Sequence, residues 1–270
     1  MKNFTANKTE KLSKFLLNNY GADLSYSTLM KLFRQKDIKV NGKRVNKDLT
    51  LMGGDTVEVY YDGNKALITP VFEREGVFVF NKPPTVTSED FEVEINKNFK
   101  GLKLCHRLDR NTSGLLVLAS DKALEEMLLA FKKRSIDKFY KAEVYGKLKD
   151  KKATLTAYLV KNEETSTVKI FNEKVNDSVK IVTEYEVIKE YEETSLLSVK
   201  LITGKTHQIR AHLAHIGHFI IGDGKYGDSE INKKFKAKRQ NLTAYKLKFN
   251  FDDSSCLKSL NGVEINLDNK

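Results

Sequence analysis

Asp109 is the residue of this chain best placed to do chemistry. It stands in the stretch His106-Arg107-Leu108-Asp109-Arg110-Asn111-Thr112-Ser113-Gly114, between two arginines and directly ahead of a turn. Asn111, Thr112, Ser113 and Gly114 are turn formers, and the apolar run at 115–119 reads as a short buried strand. An acid on a loop held by a core strand is mounted as catalytic groups are. The flanking cations favour its charged form and an anionic neighbour. The same spacing also fits a surface Arg-Asp-Arg cluster of little energetic consequence, and spacing alone leaves both readings open.

Two further stretches carry reactive side chains. Residues 139–146 alternate with period two, so Tyr140, Ala142 and Val144 share one face while Lys141, Glu143 and Tyr145 share the other. Tyr140 is thereby expected on the core side, where its hydroxyl must find a partner. Taken alone it reads as a buried structural tyrosine. Residues 203–213 hold Lys205, His207, Ile209, Arg210 and His212, with His215 and His218 just beyond. His212 and His215 are spaced to share a helical face. No Asp, Glu or Cys lies between Gly204 and Gly222 to complete or orient a ligand set, so no metal is expected there. Arg210 on its own reads as a member of an ordinary strand salt bridge.

The elements that must position these groups are legible in outline. Within 10–61, Leu12, Phe15 and Leu16 recur as one apolar helix face, and a second helix from Ser27 would carry Leu29, Leu32 and Phe33 inward, capped by Ser25 or Ser27. Ile38-Lys39-Val40, then Asn41-Gly42, then Lys43-Arg44-Val45 is a hairpin signal, because Asn-Gly accepts the positive φ values of a tight two-residue turn. Gly53-Gly54-Asp55 leads into a strand over 56–60. Residues 62–74 read as a linker, turn-like at Asp62-Gly63-Asn64 and interrupted by Pro70. From there 75–270 forms one large domain. Val77-Phe78-Val79-Phe80 reads as a strand, and Ser120-Asp121-Lys122 opens an amphipathic helix with Leu124, Met127, Leu128 and Phe131 as its core stripe. Residues 180–188 and 196–202 read as strands. Many strands with few helices imply an α+β domain around a mixed, largely antiparallel sheet.

Taken together these blocks resemble the RluA family of pseudouridine synthases. The family motif H-R-L-D-x-x-T-S-G-L is matched at every fixed position by His106, Arg107, Leu108, Asp109, Thr112, Ser113, Gly114 and Leu115. Its K-x-Y-x-A-x-V-x-G is matched by Lys138, Tyr140, Ala142, Val144 and Gly146. Its T-G-R-T-H-Q-[IL]-R-x-H-L block is matched from Thr203 to Leu213, with Lys205 standing where arginine is usual, so charge is kept and a bidentate fork is lost. That block continues through Gly217-His218 and Ile221-Gly222-Asp223 to Tyr226-Gly227. The N-K-P step at Asn81-Lys82-Pro83 is present, but the glycine that usually follows is absent, Pro84-Thr85-Val86 taking its place. Residues 10–61, two helices followed by V-N-G-K and G-D-x-V-x-V, resemble the α-L RNA-binding domain first described in a small-subunit ribosomal protein.

The resemblance implies the pseudouridine synthase fold and a division of tasks. Asp109 is the catalytic residue, acting as nucleophile or as base at the ribose. Tyr140 stacks on the target uracil and is a candidate for later proton removal. Arg210 pairs with the aspartate, and Arg107 fills the space left by the flipped base. His106, Lys205, His207 and Ile209 contact the substrate. In the small domain Lys31, Arg34, Lys36, Lys39, Lys43 and Arg44 would face RNA, contacts to phosphate that position without reading sequence.

Composition narrows the partners. The net charge is +11, and the excess is local. Residues 1–61 hold 11 Lys/Arg against 6 Asp/Glu and residues 200–250 hold 11 against 3, while 62–199 balance at 23 each. Two basic zones flanking a neutral body fit a polyanion bound at two places. No apolar run approaches the roughly 20 residues of a membrane span, and the two cysteines support neither a disulfide framework nor a zinc site. The expected protein is a cytoplasmic monomer without cofactor, acting on RNA, with large-subunit ribosomal RNA the first expectation and transfer RNA the second. Two rivals are a non-catalytic RNA-binding assembly factor and an N-glycosidic hydrolase. The second is disfavoured because glycoside hydrolysis usually takes two carboxylates, and no second acid accompanies Asp109 in the three blocks.

Overall fold

The computed structural model describes residues 2–21, 24, 26–61 and 68–269. The chain divides into two units, 1–68 and 69–270. In the first, β1 (Lys2–Thr5), β2 (Glu10–Lys11), α1 (Leu12–Tyr20), α2 (Tyr26–Gln35), β3 (Ile38–Val40), β4 (Lys43–Val45), β5 (Thr50–Leu51) and β6 (Thr56–Val59) follow in order. A four-stranded sheet ordered β1-β6-β3-β4 covers the two helices. Leu12, Phe15, Leu16, Leu29, Leu32 and Phe33 supply the helical side of a core closed by Ile38, Val57 and Val59. The β3–β4 turn is the tight one that Asn-Gly favours: Asn41 has φ 50° and Gly42 φ 75°. Asn41 does more than turn the chain, since its side chain donates to Asp55 Oδ1 (2.8 Å) and accepts from the Thr56 amide (2.9 Å). α2 begins at Tyr26, so Ser27 lies inside the helix and not at its cap position; Ser25 and residues 62–67 of the expected linker lie outside what the structure describes.

The second unit contains β7 (Phe72–Arg74), β8 (Val77–Lys82), α3 (Ser88–Ile95), β9 (Lys103–Leu104), β10 (Ser113–Ala119), α4 (Asp121–Lys133), β11 (Ile136–Tyr145), β12 (Lys152–Asn162), β13 (Thr167–Phe171), β14 (Val179–Glu190), β15 (Thr194–Leu201), α5 (Gln208–His215), α6 (Ser229–Lys234), β16 (Leu242–Phe249) and β17 (Glu264–Asn266). Its sheet runs β13-β12-β14-β15-β11-β16-β10-β8-β7, with β17 on β16 and β9 on β10. It is an α+β fold on a mixed sheet, antiparallel except where β10 runs parallel to β16. Residues 72–74, assigned to the linker by Pro70, instead pair antiparallel with β8 through a turn at Glu75-Gly76. Proline cannot donate to a ladder, but it tolerates a position just ahead of an edge strand.

Two details fix the geometry of the central strands. Gly114 lies at φ 112°, and a Cβ there would stand 2.1 Å from the Ala244 carbonyl oxygen, so only glycine lets β10 approach β16 this closely. Between Phe139 and Tyr140 the β11–β16 register shifts, a bulge opposite the strand that carries Tyr140. On α4 the buried line is Ala123, Met127 and Ala130, with Leu124 and Phe131 packed beside it. Leu128, expected in that stripe, is 46% exposed, because the helix turns its small residues toward the sheet.

Candidate active site

Asp109 hangs from the loop ahead of β10 by three tethers. The Thr112 amide closes a turn onto the Asp109 carbonyl (3.0 Å). Buried Ser88, the first residue of α3, accepts from the Leu108 amide (2.9 Å) and donates to the Leu108 carbonyl (3.1 Å). Buried Lys82 spreads its ammonium over the carbonyls of Pro83 (2.9 Å), Val86 (2.8 Å) and Arg110 (3.2 Å). Burial draws Lys82 down to about 8, while the charge of Asp109 works the other way. The N-K-P lysine thus ties the end of β8 to the residue after Asp109.

Arg210 approaches from the other side. It was read as a strand residue; it lies instead in α5, where Gln208, Ile209, Arg210, Ala211, His212 and Leu213 are all buried. The helix starts at a His207 held in the left-handed conformation (φ 53°). The side chain of Gln208 anchors that start: it accepts from Thr203 Oγ1 (2.8 Å) and the Lys205 amide (3.1 Å) and donates to the Val182 carbonyl and Thr183 Oγ1 (both 3.0 Å). A helix buried over six consecutive residues, polar ones among them, lacks the one-sided stripe that identifies a surface helix, which is why periodicity did not reveal it.

The guanidinium of Arg210 bridges two carboxylates. Nη1 donates to Asp109 Oδ2 (2.8 Å), while Nε and Nη2 form a fork with Asp223 Oδ2 (2.6 Å) and Oδ1 (2.9 Å). Asp223 is 1% exposed and also accepts from the amides of Lys225 (2.8 Å) and Tyr226 (3.1 Å). Burial works to raise its carboxyl, but Arg210 and these amides outweigh it and hold the group below the usual range. A second acid therefore does stand near Asp109, in the continuation of the third block, where the sequence reading counted none. With every oxygen engaged and no access to the cleft, it orients Arg210 and does not serve as an acid.

Tyr140 is 6% exposed and shares the cleft with Asp109. The partner expected for its hydroxyl is missing: among the described residues it makes no hydrogen bond. Burial, then the charge of Asp109, push its phenol upward, so it is neutral at ordinary pH. His207 is drawn downward by burial, with Arg210 and Lys225 adding to that and Asp109 opposing it. Its Nδ1 lies 2.9 Å from the Tyr226 hydroxyl, which accepts from the Val168 amide (2.8 Å). The tautomer in which Tyr226 donates to Nδ1 leaves the imidazole proton on Nε2, 3.8 Å from Asp109 Oδ2. Tyr226 also lies under the Arg210 guanidinium at 5.2 Å.

Asp109, Tyr140, Arg210, Arg107, His106, Lys205, His207 and Ile209 all line one cleft of about 420 Å³. Arg107 is exposed at its rim, in contact with Glu89 (3.1 Å). His106 contributes a ring stacked on Phe131 at 4.6 Å, and its Nε2 accepts from the Val117 amide (3.1 Å). Burial and then Lys138 push it down to about 3, so it enters the site as a neutral anchor. Sequence reasoning assigned no role to Ser88, Lys82, Asp223 or Tyr226. The last three lie in or beside recognised motifs, but the signal that links them is spatial. His212, His215 and His218 go to three separate partners, Thr183 (3.0 Å), Asn172 (2.7 Å) and the Tyr145 carbonyl (2.9 Å).

In the small unit, Lys31, Arg34, Lys36 and Lys43 are exposed and have no carboxylate partner among the described residues. Lys39 reaches Glu58 (3.6 Å) and Arg44 lies near Asp37 (3.9 Å), both also within 5.3 Å of the Tyr60 ring. No described helix is long and apolar enough to cross a membrane.

Known proteins share this arrangement of sequence. A family described as RNA pseudouridylate synthase matches residues 76–215. The ribosomal large subunit pseudouridine synthase C of Vibrio parahaemolyticus is 28% identical over 252 residues, 83% of this chain and 78% of that protein. An uncharacterized RNA pseudouridine synthase of Aquifex aeolicus is 32% identical over 247 residues, 81% and 77% of the two chains. The solved structure of human RNA Pseudouridylate Synthase Domain Containing 1 covers 74% of this chain and 84% of its own, with a TM-score of 0.64 at 24% identity, a likeness of fold. The chain belongs to the RNA pseudouridylate synthases, in their RluA family, and is an isomerase acting on RNA.

Proposed function

We propose that this synthase converts uridines of large-subunit ribosomal RNA, with Asp109 acting at the ribose of a flipped nucleotide. Isomerisation breaks the bond between ribose carbon 1 and uracil nitrogen 1, turns the base, and joins carbon 1 to uracil carbon 5. The observation that carries the reading is the meeting of Asp109, Tyr140 and Arg210 in one cleft, with Arg210 clamped from behind by Asp223. The target base must leave its stack, at a cost of a few kcal/mol, and exposed Arg107 at the rim is placed to occupy the gap. Tyr140 offers a ring for the base and a free hydroxyl. As a neutral phenol it donates a hydrogen bond; the isomerisation removes the proton at carbon 5 and adds one at nitrogen 1, and Tyr140 is a candidate to relay it.

The small N-terminal unit we assign as an α-L RNA-binding domain, on its two helices, its Asn41-Gly42 hairpin and the exposed cations on them. Ribosomal RNA as target is supported by likeness to synthases named for the large subunit.

The test is Asp109→Asn. The variant should bind RNA from a strain lacking the protein and form no pseudouridine in it, while the wild-type chain restores specific positions in large-subunit RNA at unchanged mass. Turnover by the variant would remove Asp109 from the chemistry. Restoration confined to transfer RNA would redirect the substrate, and loss of a base would mean hydrolysis.

A further inference from the structure

Lys138 lines the cleft as well, and nothing described so far engages its ammonium. It lies on β11 two residues before Tyr140, so both side chains leave the same face of the strand, roughly 7 Å apart along it. Both line the cleft. The ammonium is half-buried, 5.6 Å from the Phe131 ring centroid, and 3.5 Å from where a Cβ of Gly204 would stand. Among the described residues it has no hydrogen-bond or ion-pair partner. Its nearest carboxylate in sequence, Asp137, is bonded to Lys200 instead (3.0 Å). Burial, then Arg134, act against its charge, and Asp137, engaged with Lys200, offsets them only in part. Arg210 in the same cleft has two carboxylates, and Lys82, buried behind the Asp109 loop, has three carbonyls.

A partly desolvated ammonium without a counter-charge is costly unless a ligand supplies one. A uracil carbonyl or a ribose hydroxyl offers only a dipole, whereas a phosphodiester carries a full negative charge and makes a charge-assisted bond. The spacing fits as well. A flanking phosphate stands about one ribose from its base, a span comparable to the roughly 7 Å between residues 138 and 140 along the strand.

We propose that Lys138, beside the backbone of Gly204 and Lys205, forms a phosphate subsite for the nucleotide being isomerised. The subsite rests on the reading that Tyr140 receives the base. It gives the enzyme a way to hold the nucleotide by its backbone while the base is detached and turned. Arg107 fills the gap left by the base and Lys205, exposed at the rim, guides the neighbouring strand; Lys138 grips the phosphate at the turning nucleotide.

The experiment compares wild-type protein with Lys138→Met and Lys138→Arg, on total RNA from a strain lacking the protein. It then uses short RNAs carrying single methylphosphonates on either side of the uridine that the wild type converts. Lys138→Met should raise KM roughly tenfold or more with kcat changed far less. The slope of log affinity against log salt should fall by about 0.7, one single-stranded phosphate contact. Lys138→Arg should recover most of the loss. A methylphosphonate at one flanking position should weaken wild-type binding and leave Lys138→Met unaffected. An unchanged salt slope, or equal sensitivity of both proteins to every methylphosphonate, overturns the subsite. A loss of kcat alone overturns it too. Thermal melting of each variant separates these results from misfolding. Failure of the wild type to convert any uridine would instead sink the functional reading on which the subsite rests.

Discussion

At the scale of single residues, the site is organised by what surrounds Arg210. One guanidinium joins an acid that faces the cleft, Asp109, to an acid that never sees solvent, Asp223. The fork on Asp223 fixes the plane of the guanidinium, and the remaining Nη1 proton then points at Asp109. Breaking a buried pair by removing one partner typically costs about 3–5 kcal/mol, because a charge is left without compensation. In Asp223→Asn the amide is isosteric but accepts through one oxygen only, and Arg210 keeps Asp109 as its single anion. The variant should lose about 2–3 kcal/mol of stability on that basis. It should also lose far more turnover than a tethered surface acid would, because Arg210 is free to rotate away from Asp109. Chemical denaturation and turnover at a temperature where the variant stays folded check both. Near-normal turnover would show that Asp109 needs no clamp.

At the scale of elements, the loop after β8 departs from the family in a way that has an energetic signature. Where glycine is usual, Thr85 adopts φ 73°, the left-handed conformation that a β-branched residue avoids. The loop holds it there because two carbonyls are in use: that of Val86 accepts from Lys82, and that of Thr85 itself accepts from Arg110 Nε (3.3 Å). Thr85→Gly should relieve about 1–2 kcal/mol of strain, against about 0.5–1 kcal/mol of added chain entropy. A net gain of up to about 1 kcal/mol is expected, read as a higher melting temperature. A lower one would mean that the threonine methyl packs for more than its backbone costs. The same elements show what sequence could reveal. An unbroken apolar run exposed β10, which is buried along its length, alternation exposed β11, and Asn-Gly exposed the β3–β4 turn because its requirement is local. By contrast, α5 was missed because burial on all sides erases its period. Asp223 lay inside a recognised motif, yet its pairing with Arg210 spans thirteen residues and is closed by packing alone. Tyr140 was placed on the correct face, but a free hydroxyl is a property of an open cleft that no strand pattern records.

At the scale of the molecule, the two units divide charge and chemistry. Each has its own hydrophobic core, and the cations without carboxylate partners in the first, Lys31, Arg34, Lys36 and Lys43, are absent from any catalytic task. If the first unit binds RNA through phosphates, its contribution is electrostatic and independent of which uridine is modified. Each phosphate contact adds about 0.7 to the salt slope on single strands and about 0.9 on duplex. Replacing all four residues by Gln in the full chain should therefore lower the slope by about three, with affinity for every RNA reduced alike. The turnover of bound substrate should be preserved, because Asp109, Tyr140, Arg210 and Lys138 are untouched. Filter binding across a salt series and single-turnover conversion at saturating enzyme separate the two effects. A slope that stays the same would mean that this unit meets RNA by another surface or not at all. A fall in saturated turnover would mean that it also helps to present the uridine to the cleft.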